Sequence, residues 1–206
     1  MADTTRVLVG MPTRGFPWIQ SIIYAQQLAT ELGTGLALQV GQPVHVVRNR
    51  MVRNFLKSGC THFFMIHDDV VPPPGALAKL LAIDRPVATG VYPLSRTGRP
   101  VSSVMGIHDE TWPDRCPQST FPVKHCGLGC VLVRREAFEK IGFPWFYWQE
   151  DADGGDVGED VWFCQRVRRA GLQIYCDGTL VCSHVKSNFD LATVWPTVQP
   201  ESSPGT

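Results

Sequence analysis

The feature that most constrains this chain is the alternation, between residues 7 and 91, of short apolar runs with segments of helical period. Residues 7–11 form an apolar run closed by Pro12, as expected of a buried strand. Helical spacing follows over residues 17–32, with Gly33 as its stop signal. Residues 36–40 read as a second strand. Over residues 46–58 the apolar positions Val47, Met51, Val52, Phe55 and Leu56 recur at helical spacing, and Gly59 ends the helix. Residues 61–66 (THFFMI) are almost all apolar, aromatic or branched, which suits a central strand buried on both faces. A Pro-rich turn at 72–74 opens a helix through Ala82, and residues 86–91 supply another strand. This β-α-β-α-β order predicts a single α/β domain, a mostly parallel sheet flanked by helices in a Rossmann-like manner.

The rest is less regular. Residues 92–125 are rich in Pro, Gly, Ser and Arg without a sustained period, and predict long loops with one strand at 101–105. A long loop inside a domain is more often functional than idle. Residues 128–133 return to strand character and 134–141 to helix. An acidic, glycine-rich loop at 150–158 precedes a helix over 159–170, stopped by Gly171; short strands follow at 172–176 and 180–183. The domain is expected to span 1–195, with 196–206 a tail of disordered composition.

Composition narrows the function classes. The chain has 206 residues, 44% hydrophobic and 18% charged, enough for a globular core. Lys plus Arg equals Asp plus Glu at 19 each, so the chain as a whole has no electrostatic pull toward a polyanion. The seven cysteines are odd in number and include no Cys-x-x-Cys pair, which predicts free thiols in a reducing, cytoplasmic compartment. No basic segment leads a long apolar run, and no stretch nears the roughly 20 apolar residues of a membrane span, so a soluble protein is expected. The first turn, Gly10 to Gly15, lacks G-x-G-x-x-G, there is no Walker A sequence, and the loop from Asp151 does not follow the EF-hand pattern.

Three constellations carry chemistry. His67-Asp68-Asp69 follows the 61–66 strand, where open α/β sheets bind ligands. On an extended backbone His67 and Asp69 point one way and Asp68 the other. An imidazole and a carboxylate converging there suit Mn²⁺ or Mg²⁺ with phosphate oxygens completing the shell. Glu159-Asp160 opens a helix, where acids also simply complement the dipole. His184 ends a strand-like run, and spacing alone assigns it no role.

Together with residues 49–69 (NRMVRNFLKSGCTHFFMIHDD), 127–142 (GLGCVLVRREAFEKIG), 158–164 (GEDVWFC) and Ser183-His184, these segments resemble, in order, the GT-A glycosyltransferases. The resemblance implies a metal-dependent transferase that moves a sugar from a nucleotide diphosphate donor, UDP being the commonest in similar enzymes, onto an acceptor hydroxyl. Its Asp-x-Asp motif falls on His67-Asp68-Asp69, with His67 in place of the first acid. The implied metal residues are Asp69, His184 and His67; the implied base is Asp160, with Glu159 beside it. Implied donor contacts are Pro12, Thr13, Arg14, Arg48, Asn49, Arg53, Asp68, Gly127 and Gly129, and an acceptor side would include Arg96, Arg99 and Trp145. One base in a direct displacement favours inversion. The acceptor is left open among small molecules, glycans and peptides. A hydroxymethylated base in DNA is an alternative, with Arg96, Arg99, Arg166, Arg168 and Arg169 as phosphate contacts. A non-catalytic nucleotide-sugar or glycan-binding module is the alternative of another class.

Overall fold

The apolar runs become the strands of one eight-stranded sheet, with helices on both faces. The computed structural model describes residues 5–96, 99–112, 116–150, 154–186 and 189–190; the expected tail at 196–206 lies outside them. Strands β1 (Val7–Thr13), β2 (Ala37–Val40) and β3 (His62–Ile66) are parallel, in the order β2-β1-β3. They are joined by helices α1 (Ile19–Glu31) and α2 (Val44–Lys57). After β3 come a two-residue strand β4 (Val70–Val71), helix α3 (Ala76–Ala82) and strand β5 (Val87–Val91).

Side-chain alternation on β3 splits the core in two. Phe63 and Met65 face a cluster with Val47, Met51 and Phe55 of α2, whereas Phe64 and Ile66 face Ala25 and Ala29 of α1 and Leu77 and Leu80 of α3. A strand covered on both sides in this way reads as a continuous apolar run, which is why it was visible in the sequence. Pro12 does not end β1. The β3 ladder stops at Gly10, and β1 continues beside β2 alone through Thr13, so a residue without an N–H is tolerated there.

The segment expected to be loops is largely β-structure. Hairpin β6 (Pro93–Arg96) and β7 (Arg99–Ser102) is followed by β8 (Val104–Gly106) and β9 (Thr120–Cys126), the last two joining the main sheet. The single strand expected at 101–105 straddles β7 and β8. Strand β10 (Cys130–Arg134) inserts antiparallel between β3 and β5 and leads into α4 (Arg135–Ile141). A small ladder of β11 (Gln149–Glu150) and β12 (Asp156–Val157) precedes α5 (Glu159–Arg169). The two short strands expected after Gly171 are one bulged strand, β13 (Ile174–Val181). Finally β14 (Ser183–Lys186) pairs with β4 and with β15 (Phe189–Asp190). The main sheet runs β2-β1-β3-β10-β5-β13-β9-β8, and only β10 and β9 oppose the common direction. No described helix is long and apolar enough to cross a membrane. All seven cysteines are free thiols.

Candidate active site

A cleft of about 320 Å³ opens where β1 and β3 end and where α2 and α5 begin. Pro12, Thr13 and Arg14 line one side, Val44, Arg48 and Glu159 another, and His67, Asp68 and Asp69 the floor. The carboxyl ends of parallel strands and the starts of two helices thus meet there, as in other open α/β sheets.

His67-Asp68-Asp69 does not stay extended. The amide of Val70 donates to the His67 carbonyl at 3.2 Å, closing a turn that sends the three side chains to three different partners. Asp68 accepts the Thr13 hydroxyl, tying the floor to the end of β1. Burial, and secondarily Asp69 beside it, raise the Asp68 carboxyl above its ordinary range, against the hydrogen bonds from Thr13 and from the Arg14 backbone. His67 meets Arg48, whose Nη2 lies 2.5 Å from Nε2. Arginine only donates, so in this contact the imidazole nitrogen is the acceptor. The structure therefore brings His67 to Arg48 and leaves Asp69 to meet His184.

That last pair stands at the edge of the cleft, which Asp69 lines and His184 does not. His184 is buried, its Nδ1 is 2.6 Å from the carbonyl of Pro93, and its Nε2 is 3.3 Å from Asp69 Oδ2. Pairing of β4 with β14 holds the two residues together, with Val185 N donating to Asp69 O at 2.9 Å. A ring that gives its Nδ1 proton to a backbone carbonyl presents Nε2 to the carboxylate. An imidazole anchored through its far nitrogen, with a carboxylate at the near one, is the usual form of a metal-binding histidine. No group of three His, Cys, Asp or Glu suited to a metal occurs among the described residues. One carboxylate, here with an imidazole beside it, is enough protein ligation for a Mg²⁺-type cation when phosphates supply the other ligands. The residues present fit that group.

The acids at the head of α5 diverge. Glu159 forms a buried ion pair with Arg48 across the cleft. Arg48 is buried, and its Nε has no hydrogen-bond partner among the described residues. Asp160 accepts its neighbour's amide, Val161 N, at 2.7 Å. Burial first, and Glu159 second, raise its carboxyl above the ordinary carboxylate range. The pair does more than complement a helix dipole.

Other expected residues have other surroundings. Asn49 is clamped to the backbone of Phe146 through both ends of its amide, at 2.7 and 3.2 Å. Arg53 is exposed and stacks on Phe143, 4.7 Å from the ring centre. Trp145 is a core residue whose Nε1 donates to Phe138 O at 2.8 Å. None of these three lines the cleft. Arg96 and Arg99 face each other across the β6–β7 hairpin, but their side chains lie outside what the structure describes. Arg166 donates to the carbonyls of Ile141 and Gly142 at the end of α4, while Arg168 and Arg169 are exposed.

Gly127 and Gly129 serve an aromatic residue that sequence reasoning missed. A Cβ on Gly127 would lie 2.1 Å from the Tyr92 hydroxyl, and one on Gly129 2.8 Å from its ring. Tyr92 fills that space, accepts Gly129 N–H at 3.2 Å and packs edge-on to His184 at 5.2 Å. Burial and, next, nearby Asp160 push its phenol well up, so it stays protonated. Its place at the end of a strand was visible in the sequence; its contact with His184, distant along the chain, was not.

No protein-family model and no curated protein matches the sequence. Solved structures do. The "A197 from STIV" structure superposes with a TM-score of 0.69 and 24% identity, over 89% of this chain and 87% of that one. GalNAc-T7, in a structure with UDP, GalNAc and Mn²⁺, gives a TM-score of 0.59 and 9% identity over 89% of this chain. The fold is GT-A-like. This GT-A-like chain spans only 44% of the GalNAc-T7 chain, so it corresponds to part of that protein. At such identities the likeness establishes architecture, and function rests on the site.

Proposed function

We propose that the chain is a glycosyltransferase that takes a sugar from a nucleotide diphosphate donor, with Mn²⁺ or Mg²⁺ and UDP as the favoured cation and nucleotide. The observation that carries this reading is the Asp69–His184 pair, aligned by β4 and β14 at the edge of the cleft. Asp69 and His184 would hold the cation, which supplies Lewis-acid stabilisation of the departing diphosphate. Thr13 and Arg14 line the cleft wall where the nucleotide would lie, and Arg14 is exposed to it. Arg48, locked between Glu159 and His67, lines the cleft with a guanidinium held in one orientation, its charge offset by the Glu159 carboxylate.

Asp160 is the favoured base. Glu159 is neutralised by Arg48, whereas the Asp160 carboxyl is shifted toward the working pH, where a base that must take a hydroxyl proton is most effective. One base and one leaving diphosphate fit inversion at the anomeric carbon. A reducing, cytoplasmic setting remains the expected one for a chain of free thiols.

The test is release of nucleoside diphosphate from a panel of nucleotide sugars, with and without Mn²⁺. Asp69→Asn and His184→Ala should each remove metal-dependent turnover, and chelator should do the same to the parent. Full turnover in excess chelator would remove the metal from this scheme. Donor binding without any turnover would leave a binding module.

A further inference from the structure

Two aromatic side chains beside the helices that open the cleft have no part in the donor chemistry. Tyr147 is 46% and Trp148 47% exposed, a large apolar surface to leave in water on consecutive residues. Both are held in place. Tyr147 packs between the starts of the two cleft helices, with its ring centre 6.2 Å from that of His45 on α2 and 5.4 Å from that of Trp162 on α5. Phe146, the residue before it, is fastened to α2 by Asn49. Trp148 donates its indole N–H to Asp156 Oδ1 at 3.2 Å, and the β11–β12 ladder, which starts at the residue after Trp148, holds Asp156 in place. Such a pair offers rigid amphipathic contact area at little cost in side-chain entropy.

The platform adjoins the favoured base. A Cβ placed on Gly158 would lie 3.1 Å from Asp160 Oδ1 and 4.0 Å from Trp148 Cζ3, so both side chains flank the same glycine. We propose that Tyr147 and Trp148 are the acceptor-stacking subsite, and that the acceptor is an uncharged sugar ring. This rests on the transferase reading of the cleft. A pyranose presents an apolar C–H face to an aromatic ring and hydroxyls at its rim. Asp156, beside the indole, accepts such hydroxyls, and Asp160 lies next to them to take a proton.

Charge selects against the other acceptor class. The described residues of the 150–160 stretch, 150 and 154–160, include four acids (Glu150, Asp156, Glu159 and Asp160) and no Lys or Arg. Only Glu159 among the described ones is neutralised by a buried cation. Phosphates of a nucleic acid would be repelled at this mouth, while a neutral polyol is not.

The experiment is saturation-transfer NMR on the full chain in UDP and Mn²⁺, using methyl glycosides of glucose, galactose, mannose and N-acetylglucosamine and their common disaccharides. At least one glycoside should receive saturation at its ring C–H protons. Trp148→Ala and Tyr147→Ala should each weaken that binding about tenfold, consistent with loss of a stacking contact, and Trp148→Phe should restore most of it. Binding that neither alanine variant alters, or no saccharide binding at all, overturns the subsite. So does salt-sensitive binding of a duplex DNA oligonucleotide at the same residues. UDP calorimetry on the parent separates the two readings. UDP binding with no saccharide binding sinks the platform alone, and saccharide binding without UDP binding supports the platform while removing the donor site.

Discussion

Asp160 illustrates how one side chain can oppose stability and serve chemistry. Its carboxyl is raised from an ordinary 3.8 by burial and by Glu159. The native state therefore keeps a proton at pH values where the unfolded chain has released it. Stability falls as pH rises from about 3.8 through the raised folded value, and the penalty is constant above it. Asp160→Asn removes the titration while preserving an acceptor for Val161 N–H. The variant should melt higher than the parent at neutral pH, and the gap should close as the solution is acidified. Transfer should fall by about 10²-fold or more, with donor affinity unchanged. A variant that keeps most of its transfer rate would move the base to Glu159 or elsewhere. A variant that melts lower at neutral pH would contradict the burial argument. The resemblance singled out Asp160 as the base, but residue type alone did not, since acids at a helix start serve the dipole equally well.

At the scale of elements, legibility followed local period. Strand β3 and helix α2 were readable because burial imposes one repeating pattern on each, with Phe63, Phe64, Met65 and Ile66 apolar on both faces and Val47, Met51 and Phe55 on one. The strands between 93 and 126 are short, interrupted by Pro and Gly, and defined by cross-strand register such as Pro93 with Ser102, which no local window contains. The Asp177-Gly178 step looked like a break between strands. Asp177 Oδ1 instead accepts the Thr179 amide and hydroxyl at 2.8 and 2.6 Å, closing the irregularity locally so that β13 continues. Long-range polar pairs were equally hidden. Arg48 of α2 and Glu159 of α5 are 111 residues apart, and nothing in either helix announces the other. Their bond staples two helices across the cleft, and removing one partner strands a buried charge. Arg48→Met should cost about 3–5 kcal/mol in urea unfolding, and Arg48→Met with Glu159→Met much less than the sum of the two single changes. Additive losses would show that the pair is not coupled.

For the whole molecule, the site doubles as a closure of the fold. Asp69 follows the third strand of the sheet, His184 lies near the end of the described chain, and the β4–β14 ladder brings them together over 115 residues of sequence. A ligand held by both residues, by Thr13 on the first strand and by Arg48 on α2 touches elements that must all be in place at once. It therefore has no comparable site in the unfolded chain, and binding should appear as global stabilisation. At about 100 times its dissociation constant, a ligand specific for the native state adds about 2.7 kcal/mol. For a chain of this size, each kcal/mol raises the melting temperature by about 2–4 °C, so UDP with Mn²⁺ should raise it by roughly 5–10 °C. UDP in chelator should give a small part of that shift, and Mn²⁺ alone little, because the two residues that would hold the cation leave most of its shell to phosphate oxygens. Asp69→Asn should flatten the response to the combination while barely moving the melting temperature of the free protein. An equal shift in chelator would remove the cation from donor binding. No shift with any nucleoside diphosphate would mean that the cleft, for all its likeness in architecture, binds something else.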